Sequence, residues 1–248
     1  MEITSNLIGN RYKIIRNIGS GSMGLVFLVH DIKLDCNWAA KLVNNVTSNE
    51  LLALKSVSHP AFPRIVDTIA ENDNIWFIMD YIEGSSLSEY AHSARVSKKN
   101  IIHIAYELAQ ALNYLHTMSP SMLHLDCKPA NIILDSSDKL HMIDLGSIYL
   151  PNSPSPGRIS GTAGYAAPEQ RLGQSVDIRA DIYSYGRTLM AIIPGPDTPE
   201  IIQSIIKKCI QKNPSNRFQS MHEILECLEH PSMITHLSIQ NILKNLII

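Results

Sequence analysis

The sequence predicts an α+β fold in two unequal parts: a small antiparallel sheet with one helix, followed by a larger, mainly helical region. Three observations carry this. Residues 11–43 alternate apolar and polar positions in short runs broken by glycines. Residues 100–116 (NIIHIAYELAQALNYLH) have the length and apolar spacing of a long buried helix. The change of character falls at the turn marked by Glu83 and Gly84.

In chain order, RYKIIRNIG, LVFLVHD and WAAKLV read as three antiparallel strands. Residues 48–57 then place Leu51, Leu52, Leu54 and Val57 at helical spacing, and IVDTIA and IWFIMDY read as two more strands. Helices dominate from residue 100 onward. The stretch LPNSPSPGRISG, dense in Pro, Ser and Gly, is the one obvious flexible loop. No internal repeat or low-complexity linker interrupts the chain. It is therefore expected to be one domain over 1–248, with a first lobe at about 11–79, a hinge at about 80–84, a second lobe at about 85–230 and a helical tail at 231–248.

Composition excludes several classes. A hydrophobic content of 45% is enough for a normal core. The 21 Lys and Arg nearly cancel the 23 Asp and Glu, so no strong field draws the chain to nucleic acid or anionic lipid. Cys36, Cys127, Cys209 and Cys227 form no C-x-x-C pair, which argues against zinc or a disulfide framework and for a reducing, cytoplasmic setting. The opening MEITSNLIGN lacks the pattern of a secretory signal. The apolar tail from residue 234 is interrupted by Gln240, Asn241, Lys244 and Asn245, so it reads as a docking helix and not as a membrane span.

Gly19, Gly21 and Gly24 form G-x-G-x-x-G, where absent Cβ atoms let backbone amides approach a phosphate. A dinucleotide-binding fold would follow this with a helix. Here the strand-like LVFLVH follows, which points to a hairpin closing over phosphates, although a plain structural turn would look the same. Lys41 lies mid-strand among apolar residues, a costly place for an ammonium unless anions meet it or its stem snorkels to water. Glu50, at the start of the next helix, is a candidate carboxylate partner or a solvated first-turn glutamate.

Farther on, LHLDCKPANIIL carries Asp126, Lys128 and Asn131, and HMIDLGS adds Asp144. Phosphoryl transfer needs a carboxylate beside the attacking hydroxyl, a cation near the moving phosphoryl group and oxygen ligands for Mg²⁺. The cluster holds each type in order. Any one of these residues could sit in an ordinary hairpin turn; the ordered set is harder to explain that way.

On these motifs the chain resembles a eukaryotic-type (Hanks-type) Ser/Thr protein kinase of the kind found in bacteria, over roughly residues 11–228. The resemblance implies a bilobal protein-kinase-like fold, ATP and Mg²⁺ (or Mn²⁺) as cofactors, protein substrates, and a monomer or transient dimer. It implies that Gly19, Gly21 and Gly24 form the glycine-rich loop and that Lys41 holds the nucleotide phosphates while paired with Glu50. His59-Pro60 follows Glu50 at the spacing the family shows. Met79 would be the gatekeeper, with Asp80, Tyr81 and Ile82 as the hinge that reads adenine. Val26, Ala39 and Ile133 would enclose the adenine, and Leu54, Ile65, His124 and Leu145 would stack into a spine joining the lobes. Asp126 would accept or orient the substrate proton, Lys128 would neutralise the γ-phosphate, and Asn131 with Asp144 would hold the metal. Thr162 in GTAGYAAPEQ would bond Asp126 and Lys128, Glu169 would pair with Arg217, and Asp181 would tie the catalytic loop to a buried helix.

The sequence also departs from the family. Leu125 stands where the family's H-R-D arginine receives a phosphorylated activation loop. Basal activity is therefore expected not to depend strictly on loop phosphorylation, although Ser153, Ser155, Ser160 and Thr162 remain candidate autophosphorylation sites with Arg158 as a partner. Leu145 replaces the usual phenylalanine after Asp144 and keeps the metal-binding carboxylate. Cys127 beside Asp126 is either a redox handle or a small buried thiol. Between Gly186 and Asn213 the chain is short, with IIPGPDTPE where relatives carry longer helical matter. Without a membrane span or extracellular sensor, the sequence reads as a free kinase or as a domain of something longer. The alternatives are a small-molecule kinase of the aminoglycoside or choline type, against which GTAGYAAPE and the Glu169–Arg217 pairing speak, and a nucleotide-binding pseudokinase.

Overall fold

The computed structural model describes residues 6–21, 24–43, 51, 54–71, 74–91, 97–151, 161–193 and 198–230. The chain folds in two lobes. The first is a six-stranded antiparallel sheet of β1 (Leu7–Ile8), β2 (Tyr12–Gly21), β3 (Gly24–Asp31), β4 (Cys36–Val43), β5 (Ile65–Glu71) and β6 (Asn74–Asp80), in the order β1-β2-β3-β4-β6-β5. The five strands expected from alternation are present. β1 was not expected, because two residues carry no readable period.

Register explains how this sheet serves a site. Residues directly opposite across antiparallel strands share a face. Phe27↔Ala40 and Ala40↔Ile78 place those side chains on one face, where Val29, Leu42 and Trp76 join them in a packed cluster with Ile8 and Tyr12. Val26↔Lys41 and Ala39↔Met79 therefore put Val26, Ala39, Lys41 and Met79 together on the opposite face. Strand pleating alone brings Lys41 onto the inner face. Of the expected helix at 48–57, residues 51 and 54–57 are described; 51 and 54–56 are helical, and the helix ends before Val57.

The second lobe contains β7 (Gly84–Ser86), α1 (Leu87–Ala91), α2 (Lys98–Thr117), β8 (Ile132–Asp135), β9 (Leu140–Met142), α3 (Pro168–Arg171), α4 (Ile178–Ile192), α5 (Glu200–Cys209) and α6 (Met221–Glu229). The long helix begins two residues before its expected start because Ser97 caps it, its side chain accepting the Asn100 amide. α2 is buried along Ile101, Ile104, Leu108, Leu112 and Leu115, the helical spacing that marked it in the sequence. The β7-β8-β9 sheet places Ile133 between Ser86 and His141. The expected docking helix in the tail lies outside the described residues. Among the described residues, no helix is long and apolar enough to cross a membrane.

Candidate active site

A short loop and a 3₁₀ turn at Pro129–Asn131 carry the polar cluster between two anchors. Upstream, Leu123 pairs with Tyr149 in an isolated bridge; downstream, β8 begins at Ile132. Asp126 is 4% exposed and accepts four hydrogen bonds. Its Oδ1 receives the Thr162 amide at 3.0 Å and the Thr162 hydroxyl at 2.6 Å, and its Oδ2 receives Lys128 Nζ at 2.8 Å and Asn131 Nδ2 at 3.0 Å. Lys128 Nζ also reaches Thr162 Oγ1 at 2.6 Å, so the threonine hydroxyl accepts from the lysine and donates to the aspartate. A carboxylate this well supplied with donors is fixed in place.

The backbone beneath Asp126 is equally constrained. Leu125 sits at φ 57°, a left-handed conformation that costs a branched residue ~1–2 kcal/mol. Its N–H donates to Asp181 Oδ1 at 2.8 Å, and the His124 N–H donates to Asp181 Oδ2 at 2.8 Å. Burial raises the Asp181 carboxyl, but His116 and the backbone donors hold it below its usual value. His116 Nε2 lies 2.8 Å from Asp181 Oδ2, a partner the sequence reading missed; a histidine at a helix end carries no signal of that contact.

Across the cleft, Lys41 Nζ lies 2.5 Å from Asp144 Oδ1, joining the first lobe to the loop after β9. Burial pushes the Asp144 carboxyl up, yet the Lys41 ammonium and the Gly146 amide hold it below the ordinary carboxylate range. The expected Lys41–Glu50 pairing involves a residue outside the described set. The Asn131 carbonyl receives the Ile143 amide at 2.9 Å, which fastens the two metal-ligand candidates to one another through backbone. Asn131 uses its Nδ2 on Asp126 and Asp144 its Oδ1 on Lys41, which among the described residues leaves Asn131 Oδ1 and Asp144 Oδ2 for a ligand. Hard oxygen donors of this kind suit Mg²⁺, which takes one or two protein oxygens together with phosphate oxygens.

The remaining expected positions fall as follows. β2 and β3 close at Gly21↔Gly24, with Gly19 opposite Val26; residues 22–23 lie outside the described set. Met79 and Asp80 end β6, and Tyr81 and Ile82 lead to β7, all half-buried. Asp80 is fixed by Arg64, whose Nε and Nη2 donate to its two carboxylate oxygens at 2.9 and 3.0 Å. Leu54 belongs to the large core, with Ile65 and Leu145 packed on it, and His124 is fully buried. Burial pushes His124 below its usual pKa, and its Nδ1 accepts the Asp126 amide at 3.3 Å. Cys127 is 0% exposed, and burial pushes its thiol up, so the buried-thiol reading holds and the redox handle does not. Ser153, Ser155, Arg158 and Ser160 lie outside the described residues.

Glu169 and Arg217 form a buried pair, with Nη1–Oε1 at 2.6 Å and Nη2–Oε2 at 2.8 Å. The other guanidinium hydrogens go to the carbonyls of Gln211, Arg179 and Lys212, so each N–H is used. Leu125 does not reach toward the activation segment as a charge. It is 1% exposed and packs in an apolar cluster with Leu123, Ala167, Val176 and Ala180.

A two-lobed fold with a lysine on the sheet, an Asp–Lys–Asn loop and a second Asp after a short strand defines a phosphotransfer scaffold. The chain belongs to the protein kinase family, whose domain model matches residues 12–198. It is similar to a probable serine/threonine-protein kinase of Clostridium acetobutylicum, at 27% identity over 90% of this chain and 40% of that protein. It is 26% identical to the serine/threonine-protein kinase PrkC of Bacillus subtilis, over 88% of this chain and 40% of that one. With the serine/threonine-protein kinase PknB of Mycolicibacterium smegmatis it shares 27% identity, over 89% of this chain and 43% of the other. The chain thus spans about two-fifths of the length of these relatives.

Proposed function

We propose that this chain is a protein kinase that transfers the γ-phosphate of ATP to serine or threonine hydroxyls. The observation that carries the reading is the Asp126 carboxylate, fixed by four donors in the lobe that also carries Asp144, which Lys41 of the first lobe meets. An incoming hydroxyl would take the place of the Thr162 O–H on Oδ1, and Asp126 would orient it and receive its proton. Lys128, released from Thr162, would meet the charge developing on the moving phosphoryl group. Lys41 would hold the nucleotide phosphates, with Gly19, Gly21 and Gly24 above them. Val26, Ala39, Met79 and Ile133 would frame the adenine, and the backbone of residues 80–82 would read its edge. Asn131 and Asp144 would hold Mg²⁺, which supplies positive charge to the phosphates when bound.

Leu125 supports a further part of this reading. Its apolar seat against Ala167 and Val176 holds the activation segment by packing, so the active arrangement would not wait for a phosphate on the loop. Four free cysteines, three of them buried, are compatible with a cytoplasmic setting.

The test is transfer from γ-labelled ATP with Mg²⁺ to the chain itself and to a generic basic protein, followed by phosphoamino-acid analysis. Labelled phosphoserine or phosphothreonine is expected. Nucleotide binding without transfer would turn the reading into a pseudokinase, and transfer only to a small alcohol would turn it into a small-molecule kinase.

A further inference from the structure

Gln170 lies one residue past the buried Glu169, yet it takes no part in the Glu169–Arg217 pair. Its side chain is buried, at 6% exposure, and points under the catalytic loop. Nε2 donates to the Leu125 carbonyl at 2.8 Å, while Oε1 accepts the Ala167 amide at 3.3 Å. The chemistry of the partners fixes which end of the amide is which: a carbonyl demands a donor and an N–H demands an acceptor.

The Leu125 carbonyl belongs to the peptide that leads into Asp126. The N–H of that same peptide donates to His124 Nδ1. The peptide plane is thus gripped on both edges, by His124 on one and Gln170 on the other. It needs the grip because Leu125 is held at a positive φ that its side chain disfavours. A rotation of this plane would swing the Asp126 carboxylate away from Lys128 and Thr162.

A second observation links Gln170 to the loop above. A Cβ placed on Gly161 would lie 2.4 Å from Gln170 Nε2 and 2.9 Å from the Ala166 Cβ. Gly161 therefore leaves its space to the Gln170 amide, and the next residue is Thr162, which bonds Asp126. One side chain touches the peptide below Asp126, the start of α3, and the backbone beside Thr162.

We propose that Gln170 is a positioning residue: it sets the peptide plane that aims Asp126 and, through Gly161, the height of Thr162 over it. This rests on the kinase reading above and deepens it. The Gln170 amide bonds the backbone of Leu125 and Ala167, so it acts on turnover and not on nucleotide affinity.

The experiment compares wild type, Gln170→Leu, Gln170→Glu and Gly161→Ala by kcat, KM for ATP and pH profile at a temperature well below each variant's melting point. Gln170→Leu should lose roughly 10- to 100-fold in kcat with KM for ATP unchanged, the scale expected when a reacting group is misplaced by less than its own length. Gln170→Glu supplies the readout that a structural role would not move. When protonated, its carboxylic acid donates to the Leu125 carbonyl and accepts from Ala167 as the amide does; when ionised, it sets a negative charge against that carbonyl. Its kcat should therefore rise toward wild type as pH falls, a limb absent from the wild-type profile. Gly161→Ala should lower kcat by displacing the same amide, and the effects of Gly161→Ala and Gln170→Leu should be less than additive, since only the Ala166 contact is independent of Gln170.

If wild type transfers phosphate while Gln170→Leu keeps full kcat, the positioning role is overturned. A Gln170→Glu profile parallel to wild type overturns it equally, even if stability has dropped. Wild type that transfers no phosphate would instead overturn the kinase reading, so the two failures remain separate.

Discussion

The two sides of the cleft are built in different ways. On the acceptor side, Asp126 meets four donors within 3.0 Å, and its supporting peptides are held by Asp181, His124 and Gln170. On the nucleotide side, Lys41 and Asp144 meet through one ion pair across the lobes. One half is finished before any ligand arrives, whereas the other leaves oxygens and an ammonium that a metal and phosphates would engage. The difference follows from placement: Asp126 draws on the helical lobe alone, while Lys41 and Asp144 draw on both lobes.

The largest effect should come from the frame of the finished half. Arg217→Ala leaves Glu169 buried without its partner and should cost about 3–5 kcal/mol in denaturant unfolding. A loss below about 1 kcal/mol, the scale of an exposed pair, would mean that the frame does not depend on it. Lys41→Ala should remove about 3 kcal/mol of transition-state stabilisation, read as kcat/KM for ATP, with little change in melting temperature. A comparable collapse of the fold would erase the contrast between the two sides.

A pH titration sharpens the comparison from outside the cleft. In the first lobe, the Arg11 guanidinium holds Asp31 down to about 2, aided against burial by the Lys33 and Leu34 amides. A carboxyl depressed in the fold stabilises above its unfolded pKa and loses that contribution as pH falls through its folded one. Unfolding of the wild type should therefore show a loss of stability between about pH 4 and pH 2 that Asp31→Asn lacks. The smallest effect is expected from replacing Ser153, Ser155 and Ser160 together by alanine, which should leave kcat within about twofold because packing at Leu125 takes the place of a phosphate contact. Abolished activity would show that Leu125 does not substitute for a phosphate contact.

Much of this was legible in the sequence because pleating and helical periods translate directly into faces. Alternation located β2 to β6 and put Lys41 in mid-strand among apolar residues, and the ordered Asp126, Lys128, Asn131 and Asp144 pointed to phosphoryl transfer. What stayed hidden depends on contacts between distant segments. His116 lies far along the chain from Asp181, and Gln170 meets Leu125 only after α3 folds beneath the loop. The positive φ of Leu125 was unreadable for a related reason, since leucine advertises no left-handed preference and tertiary bonds impose it.

The most direct test of the divided cleft is Asp126→Asn, measured for ATP affinity and for turnover on the same preparation. Turnover should fall by ~10³-fold, the contribution of a placed general base, while ATP binds as in wild type. Equal loss of binding and turnover would contradict the separation of the two sides.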